Sequence, residues 1–313
     1  MSIRVVSSAG PSVGGIARSR WTVRYPIDIV AVNAPTTTEG TERGNPDAEE
    51  SQTTRREALG AIAALSTVAA GATTAQAQST PKTFVLVHGT WHGGWCWRRV
   101  ADALEKKGHK VYAQSLTGVA DRSHLLTRDV NLTTHANDVA NIVKWEGLKD
   151  IVLVGHSSAG FVITQAVEQI GPSVTSIVYL DAFVPQPGDS LISLANPAPR
   201  KAMEDAVARG DLVAKPVPAA AFKVNEKDRA WVDAQCTPHP LAAVAQKIEA
   251  AGARETIARK TYIRATGWDS PVFDQTLARM KTAPGWKTYE VMSGHDVMLD
   301  QPDRLVEILL EVA

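Results

Sequence analysis

Short apolar runs alternate with stretches of helical periodicity from residue 82 to the C terminus. The runs TFVLV at 83–87 and DIVLV at 150–154 are typical of strands buried on both faces of a sheet. The whole pattern predicts strands at 83–87, 110–113, 150–154, 175–181, 260–265 and 286–292, and helices near 98–107, 133–145, 159–170 and 302–312. Such alternation predicts an α/β fold, a doubly wound and mostly parallel sheet of about six strands.

The alternation is interrupted over about 185–259. This segment begins with several prolines and has helical patches near 200–209 and 241–258. It lies between two predicted strands, at the edge where α/β sheets bind their ligands. We therefore expect a mainly helical cap inserted into the domain.

Composition and charge exclude several classes of protein. The chain of 313 residues is 44% hydrophobic and has 33 basic and 33 acidic residues, so its formal net charge is zero. This balance argues against a disordered chain and gives no reason to expect a nucleic-acid partner. Two cysteines exclude a disulfide scaffold, and whether Cys96 pairs with Cys236 is left open.

The segment before residue 82 has the features of an export signal. Residues 58–81 carry no charge and are rich in Ala, Gly, Thr and Ser, with few large apolar side chains. Arg55-Arg56 precedes this segment, as in a twin-arginine signal, and Ala75-Gln76-Ala77 resembles a small-x-small cleavage site. These features predict a signal peptide at 51–77, and an Ala-rich linker or anchor helix is the alternative.

The predicted organisation follows from that signal. Residues 1–50 are expected to be a disordered extension, residues 51–77 the signal peptide, and residues 78–313 the folded domain. We expect the export machinery to be a partner of the precursor, no stable membrane anchor, and a periplasmic or secreted mature protein. A translation start downstream of Met1 is a further hypothesis.

A serine stands at the turn between a predicted strand and a predicted helix. The sequence Gly155-His156-Ser157-Ser158-Ala159 has small residues two positions before and after Ser157. A sharp strand-to-helix turn of this kind exposes the central hydroxyl as a nucleophile. The N–H of Ser158 is then free to bind an oxyanion. Centring the turn on Ser158 is sterically worse, because a histidine would take the first small position.

One histidine has the position of a general base. His295 follows the last predicted strand and precedes the last helix, which gives the chain order serine, acid, histidine. His109, His124, His135 and His239 are expected at the surface, in loops or on exposed sides of elements.

The acid of a triad has two candidates. Asp181 ends the otherwise apolar run TSIVYLD, beside the strand of the nucleophile, and a charge there needs a partner. Asp269 and Asp274 follow the strand at 260–265, which is the more usual place, but they come late in the loop. We prefer Asp181, with Asp269 as the alternative. The competing, purely structural interpretation is that Asp181 caps a turn or pairs with a residue of the cap.

The glycine-rich loop HGTWHGGW at 88–95 follows the first predicted strand. Its glycines allow close approach of the backbone, and the N–H of Thr90 is the expected second donor to an oxyanion. Gly89 and Trp91 are the candidate substrate-binding residues. For Trp91, Trp95 and Trp97, packing against the first helix is the competing interpretation.

Residues 82–313 together resemble an α/β-hydrolase. HGTWHGGWCW, GHSSAG and YLDAFVP are similar to the plant methyl-esterase and hydroxynitrile-lyase branch and its bacterial esterase relatives. The resemblance implies Ser157 as nucleophile, His295 as base, and the N–H groups of Thr90 and Ser158 as oxyanion hole. The family's common position for the acid, after the strand at 260–265, is not matched in this chain. Haloalkane dehalogenases have their acid at the end of the preceding strand, which is the position of Asp181 here.

Two departures from the lyases favour ester hydrolysis. Hydroxynitrile lyases of this branch have Thr where this chain has Gly89, and Lys where it has Asp296. The predicted function is therefore a serine carboxylesterase that cleaves small, uncharged esters without a cofactor or a metal ion. A lactonase, a hydroxynitrile lyase and a ligand receptor that retains the triad are the alternatives, and the oligomeric state is left open.

Overall fold

A computed structural model describes residues 80–313 of the chain. The predicted extension at 1–50 and the predicted signal peptide at 51–77 lie outside the described residues. The strands of the described part are β1 (Thr83–Val87), β2 (Lys110–Tyr112), β3 (Ile151–His156), β4 (Val174–Leu180), β5 (Val213–Ala214), β6 (His239–Pro240), β7 (Arg259–Ala265) and β8 (Trp286–Val291).

The helices include the predicted ones, whereas the helix between the last two strands of the sheet and several short helices were not predicted. They are α1 (Arg98–Lys106), α2 (Leu132–Trp145), α3 (Ala159–Ile170), α4 (Leu191–Leu194), α5 (Pro197–Ala208), α6 (Glu226–Gln235), α7 (Leu241–Ala245), α8 (Gly252–Thr256), α9 (Pro271–Thr282), α10 (Val297–Asp300) and α11 (Pro302–Glu311).

The central sheet is parallel and has the strand order β2-β1-β3-β4-β7-β8. Successive side chains of a strand point to opposite faces, and both faces of this sheet are apolar. Val85 and Val87 pack into one core with helices α2, α3 and α9, whereas Phe84 and Leu86 pack into the other with α1 and α11. The predicted doubly wound α/β fold is confirmed.

The register of the inner strands brings two charged residues together at the carboxyl edge of the sheet. Leu180, the last residue of β4, pairs with Ile263 of β7. Asp181 therefore follows β4 next to Arg264, which is still within β7. Because β3 pairs with β4 on its other side, Asp181 also lies beside the end of β3, and Arg264 is one strand further along the same edge.

The segment between β4 and β7 holds helices α4 to α8 and a short antiparallel pair, β5 with β6. The predicted helical patch near 241–258 is divided into α7 and α8, because the backbone of Ile248 bonds to the loop at Gly188 and Asp189. Helix α6 was not predicted, since it buries few of its side chains, Asp228 and Val232.

Candidate active site

Ser157 occupies a strained turn between β3 and α3. Its φ of +57° lies in the left-handed region, whereas Ser158 has an ordinary helical φ of −61°. A non-glycine residue in this region costs about 1–2 kcal/mol, so surrounding contacts must hold it there. The Ser157 N–H donates to the carbonyl of Leu180 at 3.2 Å, and its carbonyl accepts from Phe183 at 3.2 Å. The geometry fits an elbow centred on Ser157.

Close packing surrounds this turn. A Cβ added to Gly89 would lie 2.8 Å from the Cβ of Ser157, and one added to Gly160 would collide with the carbonyl of Phe183. The absence of side chains at these two glycines therefore lets three segments meet around the serine.

His295 and Asp181 form a direct contact. His295 Nδ1 lies 2.7 Å from Asp181 Oδ2, and the two residues are 3% and 0% exposed. Asp181 also has a left-handed φ, +42°, which turns the chain sharply at the end of β4. Its own N–H donates to the carbonyl of Ile263.

Three further donors hold the Asp181 carboxylate. Arg264 Nη1 donates to Oδ1 at 3.0 Å, the N–H of Ala265 donates to Oδ1 at 3.1 Å, and Trp268 Nε1 donates to Oδ2 at 2.7 Å. Burial alone lowers the pKa of the Arg264 guanidinium, but Asp181 and Asp274 outweigh burial and raise this pKa above its usual value. The buried carboxylate therefore has a permanent counter-charge.

The alternative acids lie elsewhere. Asp269 is exposed and makes no hydrogen bond with His295. Asp274 is also exposed and accepts from Arg264 Nε at 2.9 Å. Of the three candidate acids, the structure brings only Asp181 into contact with His295.

The expected oxyanion donors lie side by side. Thr90 Oγ1 is 3.3 Å from Ser158 Oγ, although the two residues come from the loops after β1 and β3. Within residues 80–313, the N–H groups of Thr90 and Ser158 make no hydrogen bond to another protein group. The next residue, Trp91, has a φ of +68°, which turns the loop at this point.

Ser157 and His295 line one cavity with a volume of about 800 Å³. The side chains of the two residues are not hydrogen-bonded in this structure, and such bonds often tighten only when substrate binds. Trp91 and Thr90 contribute to the cavity wall, whereas Gly89 does not. Trp97 is fully buried under helix α1, as its packing interpretation predicts.

Aromatic rings surround the imidazole of His295. Ring centroids of Trp268, Phe222 and Phe273 lie 4.5, 5.2 and 5.7 Å from its centroid. Sequence reasoning did not identify these three residues, nor Arg264. An arginine inside an otherwise buried strand is the signal that could have indicated a carboxylate partner, whereas the aromatic residues come from the inserted segment and from the region of β7 and α9.

Three of the histidines expected at the surface are buried. His109, His135 and His239 are 5%, 1% and 3% exposed, so that expectation was wrong, whereas His124 is exposed. Each buried ring has a backbone partner: the N–H of Lys82 at 3.1 Å, the carbonyl of Thr117 at 2.9 Å and the N–H of Trp91 at 3.5 Å. Burial of these rings depends on contacts with segments distant in sequence, which the local pattern does not show.

Comparison with known proteins identifies the class. A model of the alpha/beta hydrolase family matches residues 84–308, so the chain belongs to this family. It is 41% identical over 235 residues to a carbendazim hydrolyzing esterase of Nocardioides sp. (strain SG-4G), covering 72% of this chain and 97% of that one. It is 34% identical over 104 residues to methylesterase 1 of Arabidopsis thaliana, covering 33% of this chain and 40% of that one.

A solved structure agrees with these relatives. An extracellular alpha/beta-hydrolase from a Paenibacillus species, described as homologous in structure and function to tobacco salicylic acid binding protein 2, superposes with a TM-score of 0.65. The identity is 26%, and the match covers 74% of this chain and 99% of that one. The predicted enzyme class, a carboxylic ester hydrolase, is confirmed. Within residues 80–313, no helix has the length and apolar character that crossing a membrane requires.

Proposed function

We propose that the protein cleaves carboxylic esters through a triad of Ser157, His295 and Asp181. The observation that carries the proposal is the 2.7 Å contact between His295 Nδ1 and Asp181 Oδ2. With its proton held on Nδ1, the imidazole keeps Nε2 unprotonated and able to accept a proton. Ser157 lines the same cavity and has the strained backbone of a nucleophile elbow.

Each residue has a defined part in the proposed reaction. His295 Nε2 accepts the hydroxyl proton as Ser157 Oγ bonds to the ester carbonyl carbon, and Asp181 balances the imidazolium charge. The N–H groups of Thr90 and Ser158 stabilise the oxyanion. His295 then gives its proton to the leaving alcohol, and a water molecule activated by the same nitrogen releases the acid from Ser157.

The cavity supports a small, uncharged substrate. Its wall is mainly aromatic and aliphatic, which suits apolar acyl or alcohol groups. Of the charged residues in the wall, Arg209 and Asp211 pair with each other at 2.7 Å. The names of the relatives supply two probes, carbendazim and methyl esters.

Turnover and active-site labelling test the proposal together. Purified wild-type protein, Ser157→Ala and a control with an exposed serine removed, Ser123→Ala, are assayed with p-nitrophenyl esters, a lactone, carbendazim and mandelonitrile. We expect hydrolysis by the wild type and the control, and a loss of at least about a thousandfold in Ser157→Ala. A fluorophosphonate should label only the two active proteins. Unchanged turnover in Ser157→Ala would refute the mechanism, and cyanide release would favour the lyase.

We further propose that the mature protein is exported and begins after Ala77. The pair Arg55-Arg56 and the sequence Ala75-Gln76-Ala77 support this proposal. The comparison with an extracellular hydrolase of Paenibacillus is consistent with it. Mass spectrometry of protein from the periplasm or the medium should find Gln78 at the N terminus, and Arg55→Lys with Arg56→Lys should keep the precursor inside the cell. Recovery of exported protein that retains peptides from 4–18 would contradict it.

A further inference from the structure

A second buried histidine–carboxylate pair lies beside the proposed triad and shares no residue with it. His92 Nε2 is 2.9 Å from Asp296 Oδ2, and the two residues are 2% and 0% exposed. His92 belongs to the loop after β1 that carries Thr90, and Asp296 directly follows His295. The pair therefore joins two loops that are each adjacent to the site.

Both ring nitrogens of His92 face acceptors. Nδ1 lies 2.9 Å from the carbonyl oxygen of Thr90, which can only accept, and Nε2 faces the carboxylate of Asp296. An imidazole with an acceptor on each side carries both protons and a positive charge. The Trp95 indole is stacked on this ring, with centroids 5.1 Å apart and planes 19° from parallel, as a cation favours.

Electrostatics agree with this geometry. Burial alone lowers the pKa of His92, but the Asp296 carboxylate outweighs burial and raises the pKa of His92 above its ordinary value. Burial alone raises the pKa of Asp296, but the charge and hydrogen bond of His92 hold it well below its usual range. The pair is a buried cation and anion with no net charge.

A third loop is tied to the same place. His156, the residue before Ser157, has its Nε2 3.1 Å from the carbonyl oxygen of His295, so this nitrogen is the donor. The same nitrogen lies 3.7 Å from Asp296 Oδ1, which has no hydrogen-bond partner within residues 80–313. The turn that carries Ser157 therefore contacts the loop of His295 at two points, the His295 carbonyl and the Asp296 carboxylate.

We propose that His92 and Asp296 are positioning residues that fix the Thr90 backbone relative to the loop of His295. The inference rests on the proposed function, because the proposed reaction requires the Thr90 N–H and His295 Nε2 to be correctly placed around Ser157 in the same transition state. A misplacement of about 1 Å in such an arrangement costs up to about a hundredfold in rate. The ion pair holds these groups in place without adding net charge beside His295.

Other titratable groups face the pair from the surrounding elements. They are His88, His156, His239, His295, Cys96 and Cys236. Burial lowers the pKa of His88 to about 3 and lowers those of His156 and His239. Burial also raises the pKa values of both cysteines. These five groups are therefore uncharged near neutral pH and do not replace Asp296 as partner of His92.

The charge of His92 is tested without any substrate. Nitrogen-15 NMR of the histidine side chains of the full chain, with His92→Gln to assign the signal, reports protonation of each ring nitrogen. We expect His92 to be doubly protonated at pH 7.5, well above the ordinary histidine pKa of about 6.5, and neutral in Asp296→Asn. A neutral His92 in the wild type overturns the ion pair.

The positioning role is tested by kinetics with a matched control. Asp228 is also a buried carboxylate in an ion pair, 2.7 Å from Arg99 Nη1, and it does not line the cavity. We expect Asp296→Asn to lower kcat about tenfold to a hundredfold with KM within about twofold. Asp228→Asn should lower the thermal midpoint and leave kcat within about twofold.

A double variant separates positioning from folding. His92→Gln with Asp296→Asn removes both charges, so the thermal midpoint should recover in part while kcat stays low. Full recovery of both kcat and stability in the double variant overturns the positioning role alone. Equal kcat in Asp296→Asn and Asp228→Asn does the same. A wild-type protein that neither hydrolyses esters nor reacts with a fluorophosphonate overturns the proposed function and the positioning role with it, while NMR still decides the ion pair.

Discussion

The indole N–H of Trp268 and the Nδ1–H of His295 donate to the same atom, Oδ2 of Asp181, each at 2.7 Å. The other carboxylate oxygen accepts from Arg264 and from the N–H of Ala265. Four donors leave the carboxylate one orientation, aimed at the imidazole. The common acid position after β7 is not matched in this chain, and Arg264 and Ala265 of β7 instead hold the carboxylate of Asp181, which follows β4.

The two candidate acids should differ sharply when each is made neutral. Asp181→Asn should lower kcat by at least about a thousandfold, because an amide no longer selects the imidazole tautomer with Nδ1 protonated. Asp269→Asn should stay within about twofold of wild type, because Asp269 is exposed and does not contact His295. Steady-state kinetics on a p-nitrophenyl ester decides between them, and the opposite order would assign the acid to Asp269.

Trp268 contributes a donor to Asp181 and an aromatic wall to the cavity, and two variants separate these roles. Trp268→Phe keeps an aromatic wall but removes the hydrogen bond, so kcat should fall about tenfold with little change in KM. Phe273→Leu alters the wall and the ring packed against His295 but removes no hydrogen bond from Asp181, so we expect its main effect on KM. If Trp268→Phe changes KM instead, the indole N–H has no part in holding the acid.

Arg264 should matter for stability more than its exposed partner does. Arg264→Met leaves the buried Asp181 carboxylate without its counter-ion, so the free energy of unfolding should fall by about 3–5 kcal/mol. Asp274→Asn removes the charge of an exposed partner of Arg264, so the free energy of unfolding should fall by less than about 1 kcal/mol. Urea titrations at pH 7.5 measure both changes. Equal losses in the two variants would contradict the assignment of Asp181 as the main partner.

Stability should fall as the pH decreases through the range of ordinary histidines. Burial lowers the pKa values of His88, His135, His156 and His239, and that of His88 to about 3. Below about pH 6.5 these rings bind fewer protons in the folded protein than in the unfolded chain, because their pKa values are lowered on folding. Their contribution to stability is thus present above pH 6.5 and is lost below it, by up to about 1.4 kcal/mol per pH unit for each ring.

Urea titrations between pH 6.5 and pH 5 measure this dependence before most carboxylates titrate. Replacement of His88 by Gln should reduce the slope of the unfolding free energy against pH by the equivalent of about one proton. Replacement of the exposed His124 should leave this slope unchanged. A flat stability profile over this range would show that the buried rings are protonated in the folded state.

The fold was predictable because its signals are local. Runs such as 83–87 and 150–154 are long, apolar and bounded by turns, so each predicts a strand without knowledge of its neighbours. Observed strand and helix bounds differ from the predicted ones by a residue or two, and Asp181 follows β4 rather than ending it. Helix α6 has too few buried side chains to give such a signal.

The site was only partly predictable because much of it depends on register. A charge at the end of TSIVYLD indicated that Asp181 has a partner, but the pairing of Leu180 with Ile263 is needed to find Arg264. Trp268 lies in a loop whose path is fixed by contacts distant in sequence. The inward position of His135 likewise depends on the Thr117 carbonyl, which belongs to another loop.

The pairing of β4 with β7 has a consequence for how the enzyme reaches its active form. It closes a chain loop that includes the whole inserted segment, so Asp181 meets Arg264 across a separation of 83 residues. The chain loses the entropy of closing such a loop before the stabilising contacts between β4 and β7 can form. During refolding, helical circular dichroism should therefore recover before ester turnover does, since this long-range contact also orients the Asp181 carboxylate that we propose as the catalytic acid.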